Sequence, residues 1–220
     1  MDRMRQTVYK RVEQMGKPTE EVMEMFQFLW VPELMHHEMK LRFGLDLKLS
    51  LHNTLGILTP NVIRVADSGS QRESLSSLRD TNTDDLQKSA AVLILPALFK
   101  EDAKFLYCLD EEPLSVFPTI IFQGGDTPLL ARRASIKMDG ITIASGEMDV
   151  PHALQCEFVI GPSPDIDASL GLICIFCLYF LFDVQYPKEA HHTLLFFDRR
   201  LNLSMSKPST PVLRVEKMLS

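Results

Sequence analysis

The spacing of apolar residues changes twice along this chain, and the changes divide it into a helical, a β-rich and a second helical part. In the first part apolar residues recur every three or four positions, which is typical of helices with one buried face. The segments that this spacing predicts as helices are 19–29, 33–43, 47–58 and 84–99. Pro32 and Gly44 are placed as the first-turn proline and the terminal glycine of the second helix. Pro60 predicts the end of the third.

The middle part contains the clearest short-range signal in the sequence. Apolar and polar residues alternate through residues 134–144, on both sides of Asp139-Gly140. This dipeptide supplies the positive backbone angles that a type I′ turn requires, so the segment predicts a β-hairpin. Two further strands are expected over 117–122 and 154–160.

An unbroken apolar run covers residues 170–182 and requires either a lipid bilayer or a protein interior around it. The run is shorter than the roughly 20 residues that cross a hydrocarbon core as a helix, and Asp167 and Asp183 flank it. We therefore expect a helix that other elements of the protein surround. Further helices are predicted over 188–203 and 210–219.

Together these elements predict an α+β protein that is mostly helical, with a small antiparallel sheet built around the Asp139-Gly140 hairpin. Residues 1–110 form the helical part, which includes a polar, exposed linker over 67–85. Residues 111–220 form the sheet and the C-terminal helices. The two parts are also compatible with one continuous domain.

The composition is that of a globular protein, since 45% of the residues are hydrophobic and 24% are charged. The net charge of -6 comes with no stripe of lysine and arginine, which argues against nucleic acid as a partner. Four cysteines in 220 residues show no disulfide framework, and the chain begins with a charged stretch and no signal peptide. We expect a cytoplasmic or nuclear protein with no membrane span.

The pattern of cysteine and histidine gives no support to metal or cofactor chemistry. Cys174-Ile-Phe-Cys177 has the spacing of a redox or zinc pair, but it lies inside the apolar run, where thiols pack as small apolar groups. Adjacent histidines, as in His36-His37 and His191-His192, point about 100° apart on a helix and cannot easily share an ion. The sequence therefore predicts no metal, no cofactor and no catalytic residue.

One short motif suggests regulation. Arg132-Arg133-Ala134-Ser135 fits the pattern that basic-directed kinases recognise, and Ser135 stands at the start of the first predicted strand of the hairpin. Phosphorylation there would add about two negative charges at the start of that strand. Ser135 is therefore a possible phosphorylation site.

Several segments resemble the C-terminal region of sterile alpha motif domain-containing protein 3-like proteins. The resembling segments are Val31–Leu34, Pro60–Ile63, Ala90–Leu98, Met138–Ile141 and Phe176–Lys188, within residues 30–218. The resemblance implies no activity, because that region of the family has none that could be carried over to a residue. Family members often carry an upstream sterile alpha motif, a self-association module, but no segment here matches it. Residues 155–167 look inserted in comparison with the family.

The absence of converging chemical motifs favours a non-enzymatic protein-protein interaction or adaptor module with unidentified protein partners and possible self-association. An alternative is a hydrolase whose site gathers distant residues such as Cys108, Cys156 or His152, because catalytic groups assemble in space and not in sequence. A second alternative is a membrane-associated protein anchored by residues 170–182.

Overall fold

The computed structural model of the chain describes residues 19–26, 31–68, 83–113, 115–147, 167–203 and 207–220. The helices of these residues are α1 (Thr19–Met25), α2 (Pro32–Phe43), α3 (Leu47–Asp67), α4 (Asp84–Phe99), α5 (Ala168–Phe182), α6 (His191–Arg200) and α7 (Thr210–Met218). The strands are β1 (Tyr107–Leu109), β2 (Thr119–Gln123), β3 (Arg133–Met138) and β4 (Ile141–Glu147). Single 3₁₀ turns lie at Ala103–Phe105, Pro128–Leu130 and Lys188–Ala190. Helices beside one small sheet confirm the predicted α+β class.

Helix α2 begins and ends where the sequence predicts, because Pro32 lies in its first turn and Gly44 follows it with a φ of 68°. The predicted end of α3 at Pro60 is wrong, since α3 continues to Asp67. Pro60 and Gly56 both lie on the exposed side of α3. The Gly56 carbonyl, which the proline ring deprives of its helical donor, can therefore bond to water, and the buried face of the helix continues past the ring.

The sheet has the strand order β1-β2-β3-β4 and is mixed. Strands β2, β3 and β4 are antiparallel, and Asp139 and Gly140 make the predicted turn with φ values of 54° and 77°. Strand β1 runs parallel to β2, whereas the sequence predicted a purely antiparallel sheet. Strand β1 has only three residues, so the chain has a short distance to cover between the end of β1 at Leu109 and the start of β2 at Thr119.

Helix α5 is wrapped by its own chain, as predicted. Every residue from Gly171 to Tyr179 is buried, and the side chain of Asp167 accepts a hydrogen bond from the Leu170 amide at 2.7 Å, which caps the helix. A Cβ atom on Gly171 would lie 2.7 Å from Cδ1 of Ile120, so the helix lies directly on β2. Among the described residues, no helix combines the length and the apolarity that crossing a bilayer requires.

A single cluster of buried apolar side chains extends from Val22 in α1 to Leu219 at the end of α7. It includes residues of the sheet, such as Ile136, together with residues of every helix from α1 to α7. In and beside α6, the apolar residues Ala190, Leu194, Phe197 and Leu201 recur at helical spacing, and all four are buried in this core. The predicted strand over 154–160 and residues 69–82 of the linker lie outside the described residues.

Candidate functional site: the pocket beside helix α4

Helix α4 carries small and large apolar residues on the same face. Ala90, Leu93, Ile94 and Ala97 follow one another at helical spacing, so their side chains point to the same side. The two alanines leave space on that side, because a methyl group does not reach a neighbouring element that a leucine would contact. This face of α4 is the floor of a recess.

The opposite wall is the 3₁₀ turn Pro128–Leu130, which follows β2 and packs against α4. Two glycines, Gly124 and Gly125, allow the backbone to turn after β2 and reach this position. Gly124 has a φ of 76°, and a Cβ atom on Gly125 would lie only 2.3 Å from the Leu130 carbonyl oxygen. No other residue type fits at position 125 unless the backbone moves, so the wall depends on this glycine.

Between floor and wall lies a cavity of about 190 Å³, which we call the α4 pocket. Its lining residues come from α4, the two 3₁₀ turns near it and β1, and they are Ala90, Leu93, Ile94, Ala97, Glu101, Ala103, Tyr107, Thr127, Pro128 and Leu129. Ala97 and Pro128 are half-exposed, so the cavity opens to solvent. The lining is mostly apolar with a few polar groups, which is the usual character of a binding site.

The first polar group is the hydroxyl of Tyr107. It donates a hydrogen bond to the Leu93 carbonyl oxygen at 2.9 Å, and the tyrosine ring contacts the Phe122 ring edge to face at 6.1 Å. Burial raises the pKa of Tyr107 to about 12. The hydroxyl therefore keeps its proton at neutral pH, and its oxygen can still accept a hydrogen bond.

The second polar group is the hydroxyl of Thr127, the residue that precedes the 3₁₀ turn of the wall. Its oxygen is shielded from solvent and has no hydrogen-bond partner within the described part of the chain. A buried hydroxyl without a partner costs about 1–3 kcal/mol, so Thr127 is a group that would gain from a ligand. The residue as a whole is half-exposed and lines the cavity.

The third polar group is the carboxylate of Glu101, which the end of α4 holds in place. Lys100 adopts the left-handed conformation with a φ of 59°. Its amide bonds to the Ala97 carbonyl at 3.1 Å and the Glu101 amide bonds to the Pro96 carbonyl at 2.9 Å. This pair of bonds is the Schellman motif, and it fixes the direction in which the chain leaves the helix.

From this position Glu101 reaches the first turn of α6, far away in sequence. One carboxylate oxygen accepts a hydrogen bond from the His192 amide at 2.6 Å, and the other accepts bonds from the Thr193 amide at 2.9 Å and the Thr193 hydroxyl at 2.7 Å. The N-cap residue of α6, Ala190, has no side chain that could do this. A negative charge at a helix N-terminus is favourable, so Glu101 caps α6 and orders the rim of the pocket.

The polar groups of the pocket do not assemble a catalytic centre. One carboxylate and two hydroxyls line it, and no described histidine or cysteine does. Elsewhere in the described residues, no three histidine, cysteine, aspartate or glutamate side chains converge in a way that could hold a metal ion. The arrangement suits binding of an apolar group that carries a polar end.

None of the described residues that the sequence singled out for chemistry or regulation lines this pocket. Ser135 is in the middle strand β3, is only 8% exposed, and pairs with Ile121 and Ser145 on the neighbouring strands. A kinase would need this part of the sheet to open. Phosphorylation of Ser135 stays a prediction.

The predicted packing of the cysteine pair is confirmed, because Cys174 and Cys177 are fully buried in α5. Burial raises the pKa of Cys177 well above its ordinary value, so its thiol stays protonated. Cys108 is also buried, its thiol donates a hydrogen bond to the Lys104 carbonyl at 3.5 Å, and burial raises its pKa. Cys156 and His152, the other residues considered for a hydrolase, lie outside the described residues.

The histidine pairs are separated between the two helical parts of the fold. His37 and His191 are exposed as expected, while His36 and His192 are half-buried. The ring of His192 lies 3.1 Å from the Ser209 hydroxyl, measured from its Nδ1 atom. Glu38, two residues after His36 on α2, is fully buried.

Sequence reasoning did not identify the pocket. Glu101, Tyr107 and Thr127 are far apart in sequence and belong to no motif. Two features of the sequence are related to the pocket. One is the pair of alanines, Ala90 and Ala97, on a helix with many large apolar residues, and the other is Gly124-Gly125, which by itself indicates only a turn. Neither signal indicates which element faces the other.

Comparison with known proteins adds no further assignment. No protein-family model matches the chain, and neither the curated proteins nor the solved structures include a match to it.

Proposed function

We propose that this protein is a protein-protein interaction or adaptor module, and that the α4 pocket receives one side chain of its partner. The observation that carries the proposal is the pocket itself, a cavity of about 190 Å³ with apolar walls, a few polar groups and an opening to solvent. A cavity of this size holds one side chain or a fragment, while a drug-sized ligand needs roughly 300 Å³ or more. Binding energy at interfaces is concentrated in such anchor pockets.

Several features support an interaction role over catalysis. The pocket brings together no nucleophile and base, and its carboxylate already serves as the cap of α6. The walls are held by a Schellman motif and a glycine contact, so the cavity exists before a partner arrives. A preformed pocket loses less conformational entropy on binding than a flexible one. We place the interaction in the cytoplasm or nucleus.

The proposal can be tested by panning a random peptide library on the full chain. We expect enriched peptides that share one anchor residue and that lose binding to Ala97→Leu, because the larger side chain fills the pocket from its floor. The matched control is Leu213→Ala, which removes a side chain that is 50% exposed on α7 and does not line the cavity. Peptides that bind Ala97→Leu as well as the native chain, or no enrichment at all, would contradict the proposal.

A second candidate is a hydrolase, and the hydrogen bond between Ser209 and His192 favours it. The 3.1 Å distance lies within the reach that a nucleophile and its base require. Against it, Glu101 contacts the backbone amide of His192 and not the ring, so it does not orient the imidazole. A fluorophosphonate probe tests this reading: labelling that Ser209→Ala abolishes supports the hydrolase, and absence of labelling removes it.

A further inference from the structure

The polar groups that line the α4 pocket are mainly hydrogen-bond acceptors. Tyr107 has already donated its proton to the Leu93 carbonyl, so its oxygen is left to accept. Glu101 is a carboxylate and has no proton to donate when ionised. Thr127 can both donate and accept.

The carboxylate of Glu101 can accept a further hydrogen bond. A carboxylate offers about four acceptor positions, and the first turn of α6 occupies three of them. Among the described residues no lysine or arginine forms an ion pair with Glu101, although other acidic residues, such as Glu111 and Glu112, are paired with lysines. Within the described residues the Glu101 carboxylate contacts the positive end of the α6 dipole and forms no ion pair with a lysine or arginine.

We propose that the partner side chain that enters the α4 pocket is that of a lysine or an arginine, an inference that rests on the function proposed above. The aliphatic stem of such a residue would lie along Leu93, Ile94 and Leu129. Its charged head, which carries three to five N–H donors, would meet Glu101, Tyr107 and Thr127. Long cationic side chains combine an apolar stem with a polar tip, and the pocket has the same division.

The test uses small probes that reproduce the stem with different ends. We would titrate the ¹⁵N-labelled full chain with n-butylammonium, n-butylguanidinium and 1-butanol and follow the amide shifts of the pocket residues. The two cations are expected to bind about tenfold more tightly than the alcohol, which is the gain that one charge-assisted hydrogen bond supplies. Equal affinity of the cations and the alcohol would overturn the inference.

Variants separate the charge from the shape of the pocket. In Glu101→Gln the preference for cations should fall to nearly one, while binding of 1-butanol should stay. Because this variant also weakens the cap of α6, Thr127→Val provides a second measurement. It keeps the shape of the side chain and should reduce cation binding several-fold, while the alcohol should lose less, because a neutral hydrogen bond is weaker than a charge-assisted one. A cation preference that survives in both variants would overturn the inference.

The peptides selected in the library experiment distinguish failure of the inference from failure of the proposed function. Replacing the anchor lysine by norleucine, which keeps the stem and removes the charge, should weaken binding about tenfold. If the enriched anchor is apolar and its binding is lost in Ala97→Leu, the interaction module stands and the cationic preference is wrong. If no peptide depends on Ala97, both proposals fail.

Discussion

Helices α4 and α5 pack against each other and are similarly rich in Ala, Leu, Ile and Phe, yet they serve different purposes. Helix α5 is covered on every side, with its residues from Gly171 to Tyr179 all buried. Helix α4 is covered on most sides, but the face that carries Ala90 and Ala97 lines a cavity. Apolar composition therefore indicates that a helix is inside the protein, and the sizes of the facing side chains decide whether space remains.

The largest effect is expected from Leu178→Asp in α5. This side chain is fully buried, so the variant places an unpaired carboxylate in the core and should lower the free energy of unfolding by about 3–5 kcal/mol. Urea unfolding of the soluble fraction measures the loss. The matched control is Leu213→Asp in the first half of α7, where the native leucine side chain is 50% exposed. This variant should change the free energy of unfolding by less than about 0.5 kcal/mol. A Leu178→Asp protein that melts like the native one would contradict the buried helix.

Replacing a small side chain by leucine should affect the free energy of unfolding differently in the two helices. Cys177→Leu overfills the packed surroundings of α5 and should destabilise by about 1–3 kcal/mol. Ala97→Leu in α4 grows into the cavity, so it should leave stability within about 0.5 kcal/mol or raise it. Thermal and urea unfolding of both variants measure the difference. Equal destabilisation by the two would mean that the cavity has no room for a side chain.

Two tyrosines provide a smaller test of the same contrast. Tyr107 donates a hydrogen bond to α4, so Tyr107→Phe should cost about 1 kcal/mol. The hydroxyl of Tyr179 on α5 has no partner within the described residues, so Tyr179→Phe should be neutral or stabilising. Urea unfolding at neutral pH measures both changes. A loss at Tyr179 as large as that at Tyr107 would show that its hydroxyl is satisfied.

The raised pKa of Tyr107 should also make the stability of the protein depend on pH in the alkaline range. Its pKa is raised from the ordinary 10.0 to about 12, so the folded state keeps a proton that the unfolded state loses. The stability that this residue contributes is complete below pH 10 and is lost as the pH rises toward about 12. The native chain should therefore lose more stability over this range than Tyr107→Phe, as measured by urea unfolding at stepped pH. Parallel curves for the two proteins would contradict the raised pKa.

The smallest effects concern the ends of the two helices, which are alike. Lys100 after α4 and Asp183 after α5 both adopt the left-handed conformation, with φ values of 59° and 53°. Lys100→Gly should stabilise by about 0.5–1 kcal/mol, since glycine adopts this conformation without strain. Asp183→Gly should gain less, because aspartate tolerates the conformation better than lysine does. Calorimetric melting of both variants tests the order, and a destabilised Lys100→Gly would show that its side chain has another role.

Features that depend on neighbouring residues were predictable from the sequence. Gly44 ends α2 and the Asp139-Gly140 turn joins β3 and β4, each by rules that involve only a few adjacent positions. The buried helix was predictable for a related reason, since residues 170–182 leave no polar face that water could cover.

Features that depend on distant residues were not predictable. The short strand β1 exists only because β2 lies beside it, and its three residues carry too little pattern to indicate a strand. The prediction that Pro60 ends α3 was wrong, because the free energy gained by burying one face of the helix outweighs the loss of one backbone hydrogen bond. Glu101 caps a helix 91 residues further along the chain, and no local rule connects the two positions.

The apolar cluster that joins Val22 to Leu219 has a practical consequence for dividing this chain. A cut between residues 110 and 111 would follow the boundary that composition suggests, but it would strip β1 from its parallel neighbour and expose the inner sides of α4 and α5 to water. Each fragment alone would leave exposed to water the apolar side chains that the other fragment covers in the intact chain, so the two parts are expected to fold only as one unit.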